Sequence, residues 1–197
     1  MRTPRDLAIR AVILFLPLAV MATALSGLVY LVTQQSLRTG ANELPLTLAI
    51  DTGTRLDAGT QPESVVASGA WAGTATVDVA TSLSPFIVVF DGAGKVLATN
   101  AQLGGANPVP PAGVLAAAAP DVPNRVTWEP RPGVRIATVT ARWRGGTVLV
   151  GRSLREVERR EDLVLQLVGF GWAATMFALA GVSALAAALQ RRRRDGV

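Results

Sequence analysis

Two blocks of this sequence stay free of charge over lengths that a small water-soluble domain does not tolerate, and they sit near its two ends. The first, residues 9–32, holds no charge after Arg10. Its roughly 24 residues, at about 1.5 Å each, make about 36 Å of helix, enough to cross a hydrocarbon core with some tilt. The second, residues 163–189, holds no ionisable residue, and its Gly and Ala content is ordinary for a helix packed in lipid. The expected organisation is a cytoplasmic tail (1–8), a first transmembrane helix (9–32), a folded extracytoplasmic domain (33–162), a second transmembrane helix (163–189) and a basic cytoplasmic tail (190–197), with the lipid bilayer as first partner.

A cleaved secretory leader is the rival reading of the first block. Arg2, Arg5 and Arg10 form a basic flank, and Ala22-Thr23-Ala24 has the small-x-small look of a cleavage site. Against it, apolar sequence continues through Leu25, Leu28, Val29, Tyr30, Leu31 and Val32, past the about 7 to 15 residues of a leader's apolar core. Retention as an anchor is the expectation.

The formal net charge of +5 lies in the tails. Residues 1–10 carry three Arg against one Asp, the other end carries Arg191, Arg192, Arg193 and Arg194 against Asp195, and the stretch between the blocks balances twelve basic with twelve acidic groups. A neutral middle offers no basic face, so no nucleic-acid partner is expected. Arginines flanking apolar spans stay on the cytoplasmic side, because each at mid-membrane costs roughly 2.5 to 3.5 kcal/mol. Both termini are expected inside the cell, at the inner or plasma membrane, with the four-Arg run touching anionic lipid.

The sequence has neither Cys nor His. That removes disulfides, thiolate nucleophiles, histidine bases and zinc sites of the usual nitrogen and sulfur type. No spaced group of carboxylate, Ser or Lys suggests catalysis by another route, and neither enzymatic activity nor a cofactor or metal is expected. The domain must fold on its apolar core alone, for which about 130 residues suffice.

After the first block, Leu37, Ala41, Leu44 and Leu48 recur at helical spacing, as if the membrane helix ran on into the domain. Pro45 either kinks that helix or restarts it, with Asn42 as N-cap. A helical stretch at 49–56 ends near Gly59, QPESVV at 61–66 reads as a short helix opened by Pro62, and residues 67–83 show no period. The apolar run 86–90, the turn Asp91-Gly92-Ala93-Gly94 and residues 95–99 read as a hairpin. Residues 112–119 favour a short helix closed by Pro120, and 125–129, 134–143 and 147–151 read as three strands joined by tight turns. From Ser153 the sequence is a helix former up to Gly169, and Ser153 with Glu156 has the spacing of a capping box.

This order of two strands, a helix and three strands between an incoming and an outgoing membrane helix resembles the extracytoplasmic PAS-like or single Cache sensor domains of bacterial receptors and sensor kinases. PFIVVFDGAGKVLATN at 85–100 and VRIATVTARWRGGTVLVGRSLREVE at 134–158 carry the resemblance, which covers roughly residues 34–162. It implies an α+β fold with a central antiparallel sheet of about five strands flanked by two transmembrane helices. Receptors of this kind continue past the second span into an output module, whereas eight residues follow Leu189 here. The expected function is therefore a sensing or ligand-binding module acting as accessory or regulatory subunit of a separate membrane signalling or transport protein. The alternative is a cell-envelope structural or assembly factor whose domain binds proteins.

A ligand cleft in such a domain lies between the sheet and residues 100–120, with Asn100, Trp128, Arg135 and Arg142 as candidates. Either arginine can hold a carboxylate through paired N–H donors, and Trp128 can stack on an organic ligand. Arg135 and Arg142 are seven residues apart, so strand alternation puts them on opposite faces and at most one faces a given cleft; the structural reading gives them solvent or edge positions. Asp91 before Gly92 is turn chemistry, and GAGKV lacks the ending of a phosphate loop. Arg152, Ser153 and Glu156 either cap the exit helix or act as a signalling pivot. In the second block Ala174 with Ala178, and Ala180, Ala184 and Ala188, form small-residue stripes that fit either the first span or a second copy of the chain in a homodimer.

Overall fold

The computed structural model describes residues 4–68, 71–73, 76–120 and 122–195; Arg2 and the side chains of Arg5, Arg191, Arg193, Arg194 and Asp195 lie outside the described residues, as does part of 67–83. The elements in chain order are α1 (Pro4–Asp57), α2 (Pro62–Val66), β1 (Val77–Asp78), β2 (Phe86–Asp91), β3 (Val96–Thr99), β4 (Ala101–Gln102), α3 (Ala112–Ala116), β5 (Asn124–Arg131), β6 (Val134–Trp143), β7 (Gly146–Ser153) and α4 (Arg155–Asp195). They form two compact units, one of residues up to Ser36 together with those from Arg160 on, the other Leu37–Arg159.

In the first unit α1 and α4 are long and apolar enough to cross a membrane, and almost none of either apolar window is buried within the chain. Ile13, Leu16, Val20 and Leu25 on α1, and Leu167, Phe170, Phe177 and Leu185 on α4, are exposed. Apolar surface on this scale is stable against lipid and unstable against water. The covered face of α1 carries Phe15, Ala19, Ala22 and Ser26, and that of α4 carries Val168, Met176, Leu179, Ser183 and Ala187. Trp172 Nε1 donates to Thr23 Oγ1 at 2.9 Å, and Thr23 Oγ1 donates to Ala19 O at 2.8 Å. In hydrocarbon, where no water competes for an indole N–H, such a contact would select one register of α1 against α4. Ala174, Ala178, Ala180 and Ala184 are exposed and Ala188 is half-covered, so the stripe remains open when the two helices pair.

The second unit is built on an antiparallel sheet of five strands in the order β3-β2-β7-β6-β5. Strand alternation sorts its core into two layers. Ile87, Val89, Val139, Val148 and Val150 face Ala49 and Leu56 of α1, Val65 of α2 and Trp71. Phe86, Val88, Phe90, Trp128, Ile136 and Leu149 face Val77, Val79, Ala101 and Val114 on the other side. Burial on both faces explains why β2 reads as an unbroken apolar run rather than an alternating one. A small parallel pair, β1 with β4, closes the second layer.

Several expectations are corrected. Pro45 does not restart the helix: α1 is continuous over 54 residues, and Asn42 is no N-cap, its Nδ2 donating to Arg38 O at 3.3 Å within the helix. Pro45 forfeits one backbone hydrogen bond, but it is buried on the same stripe as Ala41, Ala49, Thr52 and Leu56, and packing there offsets the loss. Leu44 faces away from that stripe, 43% exposed. The end of α1 falls where expected, with Thr60 N–H on Arg55 O at 3.1 Å, Gly59 N–H on Leu56 O at 3.0 Å and Gly59 at φ 95°, the left-handed ending that favours glycine. At the start of α4, β7 runs through Ser153, whose Oγ accepts Arg155 N–H at 3.3 Å, while Leu154 O accepts the first helical bond, from Glu158 N–H at 2.9 Å.

Two glycines separate tolerance from strain. A Cβ on Gly146 would run into the Phe90 carbonyl oxygen, whereas one on Gly53 of α1 would sit 3.6 Å from Arg142 O, an ordinary contact. Gly146→Ala should cost about 3 kcal/mol, because the obstacle is strand backbone, and Gly53→Ala should be neutral or stabilise by up to about 1 kcal/mol through helix propensity. Chemical denaturation of the full chain in micelles reads both. In the same assay in bicelles, Trp172→Phe should weaken the α1 and α4 pair by about 1 kcal/mol, with Thr23→Val adding nothing to it.

Candidate ligand site

Strand β5 begins at Asn124, opposite Thr140 of β6, while β6 pairs with β7 as far as Trp143. The last residues of β6 therefore have a strand on one side only. The last turns of α1 and the chain ahead of β5 approach this open edge. Arg142 Nε donates to Ala118 O at 2.9 Å, Asp57 Oδ1 accepts Arg144 N–H at 2.8 Å, and Val114 O accepts from Asn124 Nδ2 at 3.2 Å and Thr140 Oγ1 at 3.4 Å.

Two cavities meet at Arg142. One, of about 280 Å³, is lined by Ile50, Gly53, Thr54 and Asp57 of α1, by Ala119, Val122 and Pro123, and by Ala141 and Arg142. The other, of about 450 Å³, lies between the Asp91 turn, Thr147 and Arg142 on one side and Val109, Pro110, Ala112, Leu115 and Ala116 on the other. Arg142 is exposed and uses only its Nε; among the described residues its two Nη groups have no partner. A guanidinium held at one nitrogen keeps its planar fork for a carboxylate or another acceptor.

The four residues expected around one cleft do not converge. The larger cavity lies where the cleft was expected, between the sheet and residues 100–120, and Arg142 lines it while Asn100, Trp128 and Arg135 do not. Trp128 is buried in the core with Ile136 and Leu149. Asn100 is buried and fastens strands: its Oδ1 accepts Ile87 N–H at 2.9 Å and its carbonyl accepts Val77 N–H at 2.7 Å. Arg135 lies on the opposite face from Arg142, where it forms an ion pair with Glu158 at 2.8 Å. Asp91 serves its turn, Oδ1 accepting from Ala93 N–H at 2.9 Å and Lys95 N–H at 2.8 Å. At the junction with α4, Ser153 caps Arg155, Glu156 stands in the first turn, and Arg152 Nε is buried with no acceptor among the described residues.

Two residues that matter here carry no sequence signal. Arg155 donates from its guanidinium to the carbonyls of Ala80 and Thr81, clasping the start of α4 to the loop after β1. Asp57 reaches a turn 87 positions away, and only the packed fold shows that the end of α1 meets it.

No family model, curated protein or solved structure matches this chain. Fold and site together define an α+β domain carried on two membrane-competent helices, with a cationic side chain between two cavities at an open sheet edge.

Truncation should separate the fasteners from the site. Asn100→Ala leaves the buried Ile87 N–H unpaired and should cost about 1 to 3 kcal/mol. Arg135→Ala removes a half-exposed ion pair, 48% and 39% exposed, and should cost less than about 1 kcal/mol. Urea melts of the two variants check the ranking.

Proposed function

We propose that this protein is a membrane-anchored module that binds a small ligand outside the cytoplasm and passes its bound state to a membrane partner through α1 and α4. The observation that carries the reading is that both membrane-competent helices are also core elements of the domain. The helix that carries residues 9–32 goes on to contribute Ala41, Ala49 and Leu56 to the core, and α4 contributes Val157. A ligand that shifts β6 or β7 thus acts on the same helices that meet lipid. Only Leu154 separates the end of β7 from α4, and an unbroken hydrogen-bond ladder resists bending. Arg152, Ser153 and Glu156 stand at that junction, with Arg155 beside them.

Within the five-stranded sheet two strands, β2 and β3, precede the short helix α3 and three, β5, β6 and β7, follow it, an order that supports the resemblance to PAS-like and Cache sensors. The open Ala174, Ala178, Ala180 and Ala184 stripe leaves room for a partner helix, from a second copy or from the protein that receives the signal. In this reading the domain is extracytoplasmic and both tails are cytoplasmic, held there by their arginines.

The natural absence of cysteine makes the topology directly testable. Single cysteines are introduced at Val109, 71% exposed in the domain, and at Arg192 in the basic tail, and intact cells are treated with a membrane-impermeant maleimide. Labelling at 109 in intact cells, and at 192 only after permeabilisation, is expected; the reverse pattern removes the proposal.

A further inference from the structure

We infer that the cavity of about 280 Å³ takes a small zwitterion of the α-amino acid class, its ammonium group met by the Asp57 carboxylate and its carboxylate by the Arg142 guanidinium. This rests on the ligand-binding reading above and supplies its chemistry.

Asp57 and Arg142, of opposite charge, are both among the residues that line one small cavity, and neither forms a salt bridge among the described residues. Each is aimed by its one remaining hydrogen bond. Asp57 is held through Oδ1 by Arg144 N–H, which leaves Oδ2 for a cation. Arg142 is held through Nε by Ala118 O, which leaves both Nη groups for an anion. Both side chains stand on regular elements, the last turn of α1 and the β6 ladder opposite Thr147, so little ordering is needed when a ligand arrives. A ligand with one charge satisfies one wall and desolvates the other; a zwitterion satisfies both. The larger cavity also brings a carboxylate, Asp91, to Arg142, but that carboxylate spends Oδ1 on two turn amides, those of Ala93 and Lys95, where Asp57 holds one.

Size and lining narrow the class further. The volume is at the lower edge of ligand pockets, about 300 to 1,000 Å³, which admits an amino acid and excludes a peptide or a nucleotide. Ile50, Val122 and Pro123 supply apolar wall, suited to a short aliphatic side chain. Occupancy joins the end of α1 to β6 through the ligand, which gives the bound state a mechanical meaning within this domain.

Calorimetric titration of the full chain in nanodiscs with L-alanine, L-valine and L-leucine, and with isovalerate and isobutylamine as single-charge analogues, tests the assignment. At least one amino acid should bind saturably, with the analogues about 100-fold weaker or worse. Asp57→Asn, which keeps the acceptor for Arg144, and Arg142→Gln should each weaken binding at least about 10-fold, and Gly53→Leu should abolish it by filling the cavity. Arg135→Gln should bind as the parent does. Binding that ignores Asp57→Asn overturns the assignment. So does isovalerate binding as tightly as valine with dependence on Arg142 alone, an outcome that leaves the ligand-binding reading standing. Silence with every probe in a chain whose labelling pattern is as expected also overturns the zwitterion, while the topology stands.

Discussion

Residues 9–32 and 163–189 lie in helices long and apolar enough to cross a membrane, and a continuous helix is the one local structure that would pair every peptide N–H and C=O there, each of which costs several kcal/mol if left unpaired in hydrocarbon. Everything between those stretches inherits the constraint. The chain enters its folded domain already helical, as α1, and leaves it helical, as α4. The domain therefore has a helix at each end of its sequence before any of its own propensities are considered. Pro45 shows how firmly this holds: a residue that ordinarily ends a helix is absorbed inside one, because its ring lies on the buried stripe with Ala41 and Ala49.

Between the helices, a sheet with apolar residues on both faces needs a cover on each. α1 and α2 supply one, and the pieces before and after the first hairpin, β1, β4 and α3, supply the other. The second cover contains short segments with few hydrogen bonds of their own, so it is fastened by side chains: Asn100 to Ile87, Thr99 Oγ1 to Ile87 O at 2.7 Å, Arg155 to Ala80 and Thr81. Polar residues that look like ligand contacts in sequence are taken up by this fastening. Asn100 is one such residue, whereas Trp128 faces inward as core packing and Arg135 pairs with Glu158 of α4.

How much was legible follows from the range of the interactions involved. The hairpin at Asp91, the three strands from β5 to β7, the short helix at Pro62 and the ending at Gly59 are written in local turn and cap chemistry, and they stand in the structure within a few residues of their expected places. The opposite facing of Arg135 and Arg142 also followed from strand alternation alone. By contrast, β1 and β4 are two residues each and exist only because they lie side by side, so no periodicity marks them. The same holds for Asp57 and Arg155, whose partners lie 87 and 74 positions away. A site assembled from such contacts cannot be read from spacing.

Arg142 differs from the other candidates in how little of its bonding capacity the fold consumes. One hydrogen bond from Nε to a carbonyl is within reach of lysine or glutamine, and a residue needed only for that bond has no use for a five-donor fork. Its setting is equally particular. Were β5 two residues longer at its start, it would pair with β6 past Thr140 and close the edge at which both cavities open. The late start of β5, the proline at 123 that lacks a backbone N–H for the ladder, and an aspartate on the facing helix end all favour an opening at this corner. A fold under pressure only to be stable gains from closing that edge, since an unpaired strand border invites association; here it stays open beside Asp57 and Arg142, neither of which forms an ion pair among the described residues.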